Sequence, residues 1–235
     1  MGGTTSKFSD ATNASTVHLW LFDLDATQRL YKGFSAHWLS DKERARMTQF
    51  TQDIERLRYC RMRVLIRMVL AEMLGTSAKH VTISYEPKGR PCIEGRPNLS
   101  ISYSHCRNLG VLAFSQIGDI GIDLEWADPR RLNLVNLVLS EGEKDVLENA
   151  TLANRLDIFM RFWTRKEAYF KAIGTGLIYP ITDVDTSNWQ PHLTQYWDLD
   201  GPRGFFGALY VSNANHQPQI KVHSSELVVY GPASI

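Results

Sequence analysis

The sequence predicts an α+β fold of two similar lobes related by a pseudo-twofold, each a long helix packed on a small antiparallel sheet. Three observations lead there. Two stretches of helical periodicity, one over Asp53–Leu74 and one through Phe162–Lys171, are flanked by short strand-like apolar runs. A weak self-similarity links the halves at an offset of about 97 residues: MRVLIRMVLAEMLGT from Met62 resembles MRFWTRKEAYFKAIGT from Met160, and LGVLAFS from Leu109 resembles GFFGALYVS from Gly204. A chain of 235 residues can also bury a substantial core, as one large domain or two small ones. The expected division is a flexible N-terminus over 1–15, an N-terminal lobe over 16–118 and a C-terminal lobe over 119–235.

The elements follow in order. TVHLWLFDLD (Thr16–Asp25) alternates enough to form a first strand. Ser40 with Glu43 three residues on is a capping box that opens a short helix. The long helix from Asp53 should stop at Gly75, where a left-handed C-cap favours glycine. EPKGRPCIEGRP is turn chemistry, LSISYS and LGVLAFS are strands, and QIGD (Gln116–Asp119) is a hairpin turn into IGIDLEW. SEGEKDVLENA and the second long helix follow, then a strand-rich tail with FFGALYVS and SELVVYG.

A formal charge of +1 gives no global polyanion-binding signature, so nucleic acid is not indicated and any phosphate site must be a local patch. Cys60, Cys92 and Cys106 show neither CxxC nor zinc-like spacing, which suits a reducing compartment. The polar start and the absence of an 18-residue apolar run imply a cytoplasmic protein with no membrane segment. Gly2 with Thr5 or Ser6 loosely matches a myristoylation pattern, and a flexible start or tag remnant fits the same residues.

Two local patterns carry chemistry. In GIDLEW, Asp123 and Glu125 project from one face of a strand, about 7 Å apart at the strand rise, while Ile122 and Leu124 point to the other. A third carboxylate from a neighbouring helix would make a hard-oxygen set suited to Mg²⁺, and Glu167 is the natural candidate. On that helix Phe159, Phe162, Trp163, Tyr169 and Phe170 form an apolar stripe whose arc contains Lys166 and Glu167, while Arg161, Thr164, Arg165 and Ala168 take the opposite face. Charges inside an apolar arc mark a site or a structural ion pair. Lys166 and Lys171 would complete a pyrophosphate site, and the basic segment Lys42–Arg67 could hold a further phosphate. His105, in SYSHCRN beyond a strand end, could donate to phosphate or simply fill a turn.

Together GIDLE, FWTRKEAYFKA with GTGL, GRPCI and SYSHC resemble the two-lobed, Sfp-type class of 4'-phosphopantetheinyl transferases, over about Leu39 to Leu177. The resemblance implies that Asp123, Glu125 and Glu167 are magnesium ligands, that Lys166 and Lys171 are the lysines of the active-site helix, and that Trp163 is its packing aromatic. It implies coenzyme A contacts from Arg90 and His105, and from Arg46 and Arg58 around the 3'-phosphate. Glu143 falls at an acidic position of the family. Ser102 and Cys106 depart from its usual Asn and Ser around the histidine.

The activity so implied is a Mg²⁺-dependent transfer of the phosphopantetheine arm of coenzyme A to a serine of an acyl or peptidyl carrier protein, releasing adenosine 3',5'-bisphosphate. Such carriers serve fatty-acid, polyketide or nonribosomal peptide biosynthesis. Glu167 or a metal-bound water would be the base, Lys171 would stabilise the leaving group, and a monomer is expected. The alternatives are a non-catalytic coenzyme A or carrier-protein binding module, disfavoured by the complete acidic trio, and a different Mg²⁺-dependent phosphotransferase, for which no GxxxxGK[ST] loop is present.

Overall fold

A computed structural model describes residues 16–26, 36–176, 180–189, 195–202, 204–212 and 218–223, with the backbone of 228–230. The myristoylation-like N-terminus, the flexible start and Leu177 of GTGL lie outside the described residues. The chain runs β1 (Thr16–Asp23), α1 (Asp41–Met47), α2 (Asp53–Leu74), β2 (Ile83–Tyr85), β3 (Pro91–Ile93), β4 (Ser100–Cys106), β5 (Leu109–Ser115) and β6 (Ile120–Trp126). It continues with α3 (Val135–Val138), α4 (Glu141–Glu148), α5 (Arg155–Ile173), β7 (Tyr196–Asp200), β8 (Phe205–Val211), β9 (Gln219–Val222) and β10 (Val228–Tyr230). The protein is α+β, as the sequence predicts.

One sheet has the order β2-β3-β4-β5-β1-β9 and the other β10-β7-β8-β6. The two sheets face each other across a core in which Val17, Leu19, Val111 and Ala113 of the first meet Ile120, Ile122, Leu124 and Leu209 of the second. Strand alternation sends Trp20, Leu112 and Phe114 to the opposite face of the first sheet, where Met62, Leu65 and Ile66 of α2 cover them. α5 lies against β6 and β8 of the second sheet. The layers are therefore helix, sheet, sheet, helix.

Three details differ from the sequence expectation. The Gln116–Asp119 turn is not a hairpin: β5 is already paired on both edges, by β4 and β1, so the chain passes to the second sheet and β6 pairs with β8. PCI, read as turn chemistry, is β3, because two stretches of EPKGRPCIEGRP supply a turn and a short strand paired with β2. His105 lies inside β4, opposite Gly110, since β4 continues two residues past Ser104.

Two capping boxes tie the short helices to the long ones. Ser40 and Glu43 cap α1, and Ser140 and Glu143 cap α4. In each case the glutamate is buried and reaches a cation on the long helix: Glu43 accepts from Arg67 of α2 at 2.7 and 3.2 Å, and Glu143 pairs with Lys166 of α5 at 2.6 Å.

Candidate active site

β6 is an edge strand of its own sheet, yet it is largely buried, so its outward amides need partners from elsewhere. The serines of SISYS supply them. Ser100 Oγ accepts from Ile120 N at 3.1 Å, Ser102 Oγ accepts from Ile122 N at 3.0 Å, and Ser104 Oγ donates to Asp123 Oδ1 at 3.0 Å. Alternation on β4 points all three the same way, which lashes β6 to the first sheet and fixes Asp123.

On the other side of β6, Gly121 lets α5 come into backbone contact. A Cβ there would overlap the Ala168 carbonyl oxygen and stand 2.5 Å from Ala172 N. That closeness brings Glu167 and Lys171 beside Asp123 and Glu125. Lys171 Nζ donates to Asp123 Oδ1 at 2.7 Å and to the Ile122 carbonyl at 3.0 Å. Asp123 is 4% exposed, and its Oδ2 is buried with no hydrogen-bond partner. Glu125 Oε2 accepts from Arg131 at 3.1 Å, and Arg131 in turn lies over the Trp163 ring at 5.1 Å.

Electrostatics agree with this crowding. Burial, then the Asp123 charge, raises the Glu167 carboxyl to about 7, with Lys171 opposing. Burial followed by Asp123 also raises Glu125, against Arg131. Burial lowers the His105 imidazole, helped by Arg63 and Lys171 and opposed by Glu55, so His105 is neutral at physiological pH. The three carboxylates thus hold more negative charge than Lys171 and Arg131 offset, and Asp123 keeps an unused buried oxygen. Among the described residues no three or more His, Cys, Asp or Glu side chains stand close enough together to hold a metal ion as they are placed. The observation that bears on a metal is the partnerless buried Oδ2 of Asp123, a hard oxygen donor of the type Mg²⁺ takes when it uses few carboxylates and completes its shell with water and phosphate oxygens.

A cleft of about 280 Å³ opens beside Lys171 between the end of α5 and the first sheet. Phe170, Lys171, Gly174 and Gly176 line it from the α5 side; Arg63, Tyr85, Lys88, Arg90, Ser102 and Tyr103 line it from α2 and the first sheet. Arg90 ties this edge of the cleft to α5 and β6: it pairs with Asp119 at 2.6 Å and Glu86 at 2.8 Å and donates to the Ala172 carbonyl at 3.3 Å.

Asp123, Glu125, Glu167 and Lys171 are therefore brought together, with Arg90 on the same cleft and His105 within electrostatic reach. Arg58 is held by Asp25 at 2.6 and 3.0 Å and by Glu55 at 2.9 Å, and Arg46 is exposed, bonded to Gln49 at 2.6 Å. Neither lines the cleft. Lys166 requires a correction. It is fully buried on another side of α5, where Nζ pairs with Glu143 and donates to the carbonyls of Val138 at 2.7 Å and Ile181 at 3.0 Å. Its donors are spent inside the protein, so it cannot meet a phosphate; of the two readings of a charge in the apolar arc, the ion pair holds for Lys166. The companion expectation for the opposite face also changes, since Thr164, Arg165 and Ala168 are buried and Arg165 forks onto Asp198 of β7 at 2.9 and 2.6 Å. Sequence reasoning missed Ser104, Arg131 and Arg63; only the alternating serines of SISYS left a readable signal.

A model of the 4'-phosphopantetheinyl transferase superfamily matches residues 119–218, the span that contains both acidic strand and active-site helix. The 4'-phosphopantetheinyl transferase HetI of Nostoc sp. is 33% identical over 166 residues, covering 68% of this chain and 70% of the relative. The chain belongs to the 4'-phosphopantetheinyl transferase family. Other phosphopantetheinyl transferases match as well: AcpT of Salmonella typhi is 30% identical over 145 residues (61% of this chain, 71% of the relative), and Sfp of Bacillus subtilis is 29% identical over 118 residues (50% and 52%).

Proposed function

We propose that this phosphopantetheinyl transferase moves the 4'-phosphopantetheine arm of coenzyme A onto a serine of an acyl or peptidyl carrier protein and releases adenosine 3',5'-bisphosphate. The observation that carries the reading is the juxtaposition at β6 and α5. Three mutually repelling carboxylates, one with an unused buried oxygen, stand beside a lysine at the mouth of a cationic cleft.

Asp123, Glu125 and Glu167 would hold Mg²⁺, which supplies charge neutralisation for the pyrophosphate. The chain's own groups do the rest. Lys171, fixed by Asp123 and the Ile122 carbonyl, faces the leaving bisphosphate, and neutral His105 can donate a hydrogen bond to phosphate. The serine proton would pass to Glu167 or to a water that Glu167 activates. Phosphoryl transfer asks mainly for such positioning and charge balance.

The pseudo-twofold of two lobes belongs to the same proposal. Its support is the repeated capping box whose buried glutamate clamps each long helix, together with the self-similar helices. The boundary is proposed at Gln116–Asp119, with β9 of the C-terminal part adding to the first sheet in parallel to β1. A monomer acting in the cytoplasm on fatty-acid, polyketide or nonribosomal peptide carriers completes it. No described helix is long and apolar enough to cross a membrane.

The test is intact-mass spectrometry of a purified apo carrier protein incubated with the enzyme, coenzyme A and Mg²⁺, beside an EDTA control and Glu167→Gln. A gain of one phosphopantetheine arm that both controls abolish is expected. No gain across several carrier types, with coenzyme A still bound, would instead establish the non-catalytic binding module.

A further inference from the structure

His18 of β1 and His223, the residue after β9, form a hydrogen-bonded pair: Nδ1 of the first lies 3.0 Å from Nε2 of the second, with the ring planes 14° apart. His18 is 1% exposed, and its other nitrogen, Nε2, is buried with no hydrogen-bond partner. The His223 ring stacks on Trp20 with centroids 4.4 Å apart, and His18 meets Phe114 of β5 edge-on at 6.3 Å. Two imidazoles share a hydrogen bond only while one of the facing nitrogens keeps its lone pair, so a second proton sets two donors against each other.

Even one shared proton is opposed. Lys221 of β9 stands opposite His18 in the strand register and adds positive charge beside both rings. The side chains that β5 and α2 bring to the cluster around Trp20, among them Phe114, Leu65 and Leu70, are apolar. Burial, then His223 and Lys221, lower the His18 imidazole to about 4, and burial with Lys221 lowers His223.

The pair sits where β9 joins the first sheet. β9 is a four-residue edge strand, parallel to β1, whose Ile220 and Val222 pack on the core between the sheets. Just beyond it the His223 amide donates to the Leu19 carbonyl at 2.8 Å. A short edge strand of this kind opens locally before the whole fold does. Independently of the transferase reading, we propose that the His18–His223 pair is an acid-sensitive latch: neutral, it holds β9 on β1, and protonated, it releases β9 and uncovers the β1 edge while the second sheet stays folded.

The sign follows from the direction of the shift. His18 lies below its ordinary 6.5 when β9 is docked, so the latch is at full strength above 6.5 and is lost as the pH falls toward 4. With His18 returned to its ordinary value on opening, the open form should be about 30-fold more populated at pH 5 than at pH 7.5.

The test is amide hydrogen exchange of the full-length protein at those two pH values, corrected for the intrinsic pH dependence of exchange. Protection of β9 should fall about 30-fold in acid, and that of β8 by less than about threefold. The double variant His18→Asn with His223→Gln keeps a side-chain amide near each bonded nitrogen and cannot titrate. Its β9 protection should change by less than about threefold between the two pH values. If thermal melting shows that the double variant does not fold, NMR titration of the wild-type imidazoles decides: His18 should stay neutral at pH 5, and titration near 6.5 would overturn the inference. A wild type without an acid response at β9, an equal response in the double variant, or an equal loss of protection in β8 would overturn it as well.

Discussion

Replacing Gly121 with alanine tests whether the close approach of α5 to β6 assembles the acidic site. The added Cβ would stand 2.5 Å from Ala172 N and closer still to the Ala168 carbonyl oxygen, where ordinary contact begins at 3.4 Å. Both obstacles are backbone, so no side chain can swing aside. The helix has to retreat from the strand by about 0.9 Å or more, judged from the smaller of the two overlaps. Overpacking of this kind costs roughly 1–3 kcal/mol, and a backbone-on-backbone clash belongs at the upper end. The same retreat carries Glu167 and Lys171 away from Asp123, and a displacement near 1 Å in a catalytic constellation costs on the order of 10²-fold in rate. Urea denaturation would give the stability change, and kcat for carrier modification, measured where the variant is fully folded, would give the rate. A variant within about 0.5 kcal/mol of wild type and equally active would refute the view that this glycine sets the geometry of the site.

Other perturbations separate structural from chemical roles. Lys166→Met should lower stability by about 3–5 kcal/mol, because it strands the buried Glu143 carboxylate without its cation; kcat per folded molecule should stay within a few-fold, and a loss like that of Glu167→Gln would return Lys166 to the catalytic set. For Glu167 the folded carboxyl lies above its ordinary value, so its contribution to stability is full below about 4.5 and disappears as the pH rises through about 7. Denaturation midpoints in metal-free buffer should therefore fall between these pH values, less steeply in Glu167→Gln, and Mg²⁺ should restore part of the loss at pH 8. Identical pH profiles of wild type and variant would contradict the burial and charge assigned to that carboxyl.

Much of this molecule was legible from spacing alone. Local rules suffice for β1, for the long helix that ends at Gly75 with φ 63°, and for the capping box at Ser40, because caps and periodicity act over a few residues. The period of two placed Asp123 and Glu125 on one strand face, and Asp123 and Glu167 do feel each other's charge. The Gln116–Asp119 turn was misread because hairpin chemistry cannot reveal that both edges of β5 are already filled by distant strands.

Sequence by itself determined the α+β class, the acidic strand, the helix that carries Glu167 and Lys171, and the motifs shared with phosphopantetheinyl transferases. Tertiary structure decided what each charge meets. Lys166 and Glu167 are neighbours in the chain, but a helix turns them about 100° apart, so one is sealed against Glu143 and the other faces Asp123. Arg58 and Arg63 read alike on α2, and only the packing shows the first spent on Asp25 and Glu55 and the second set over the Tyr59 and Tyr103 rings beside the cleft. Local pattern fixes which face a residue occupies, whereas the partner on that face comes from elements far away in the chain.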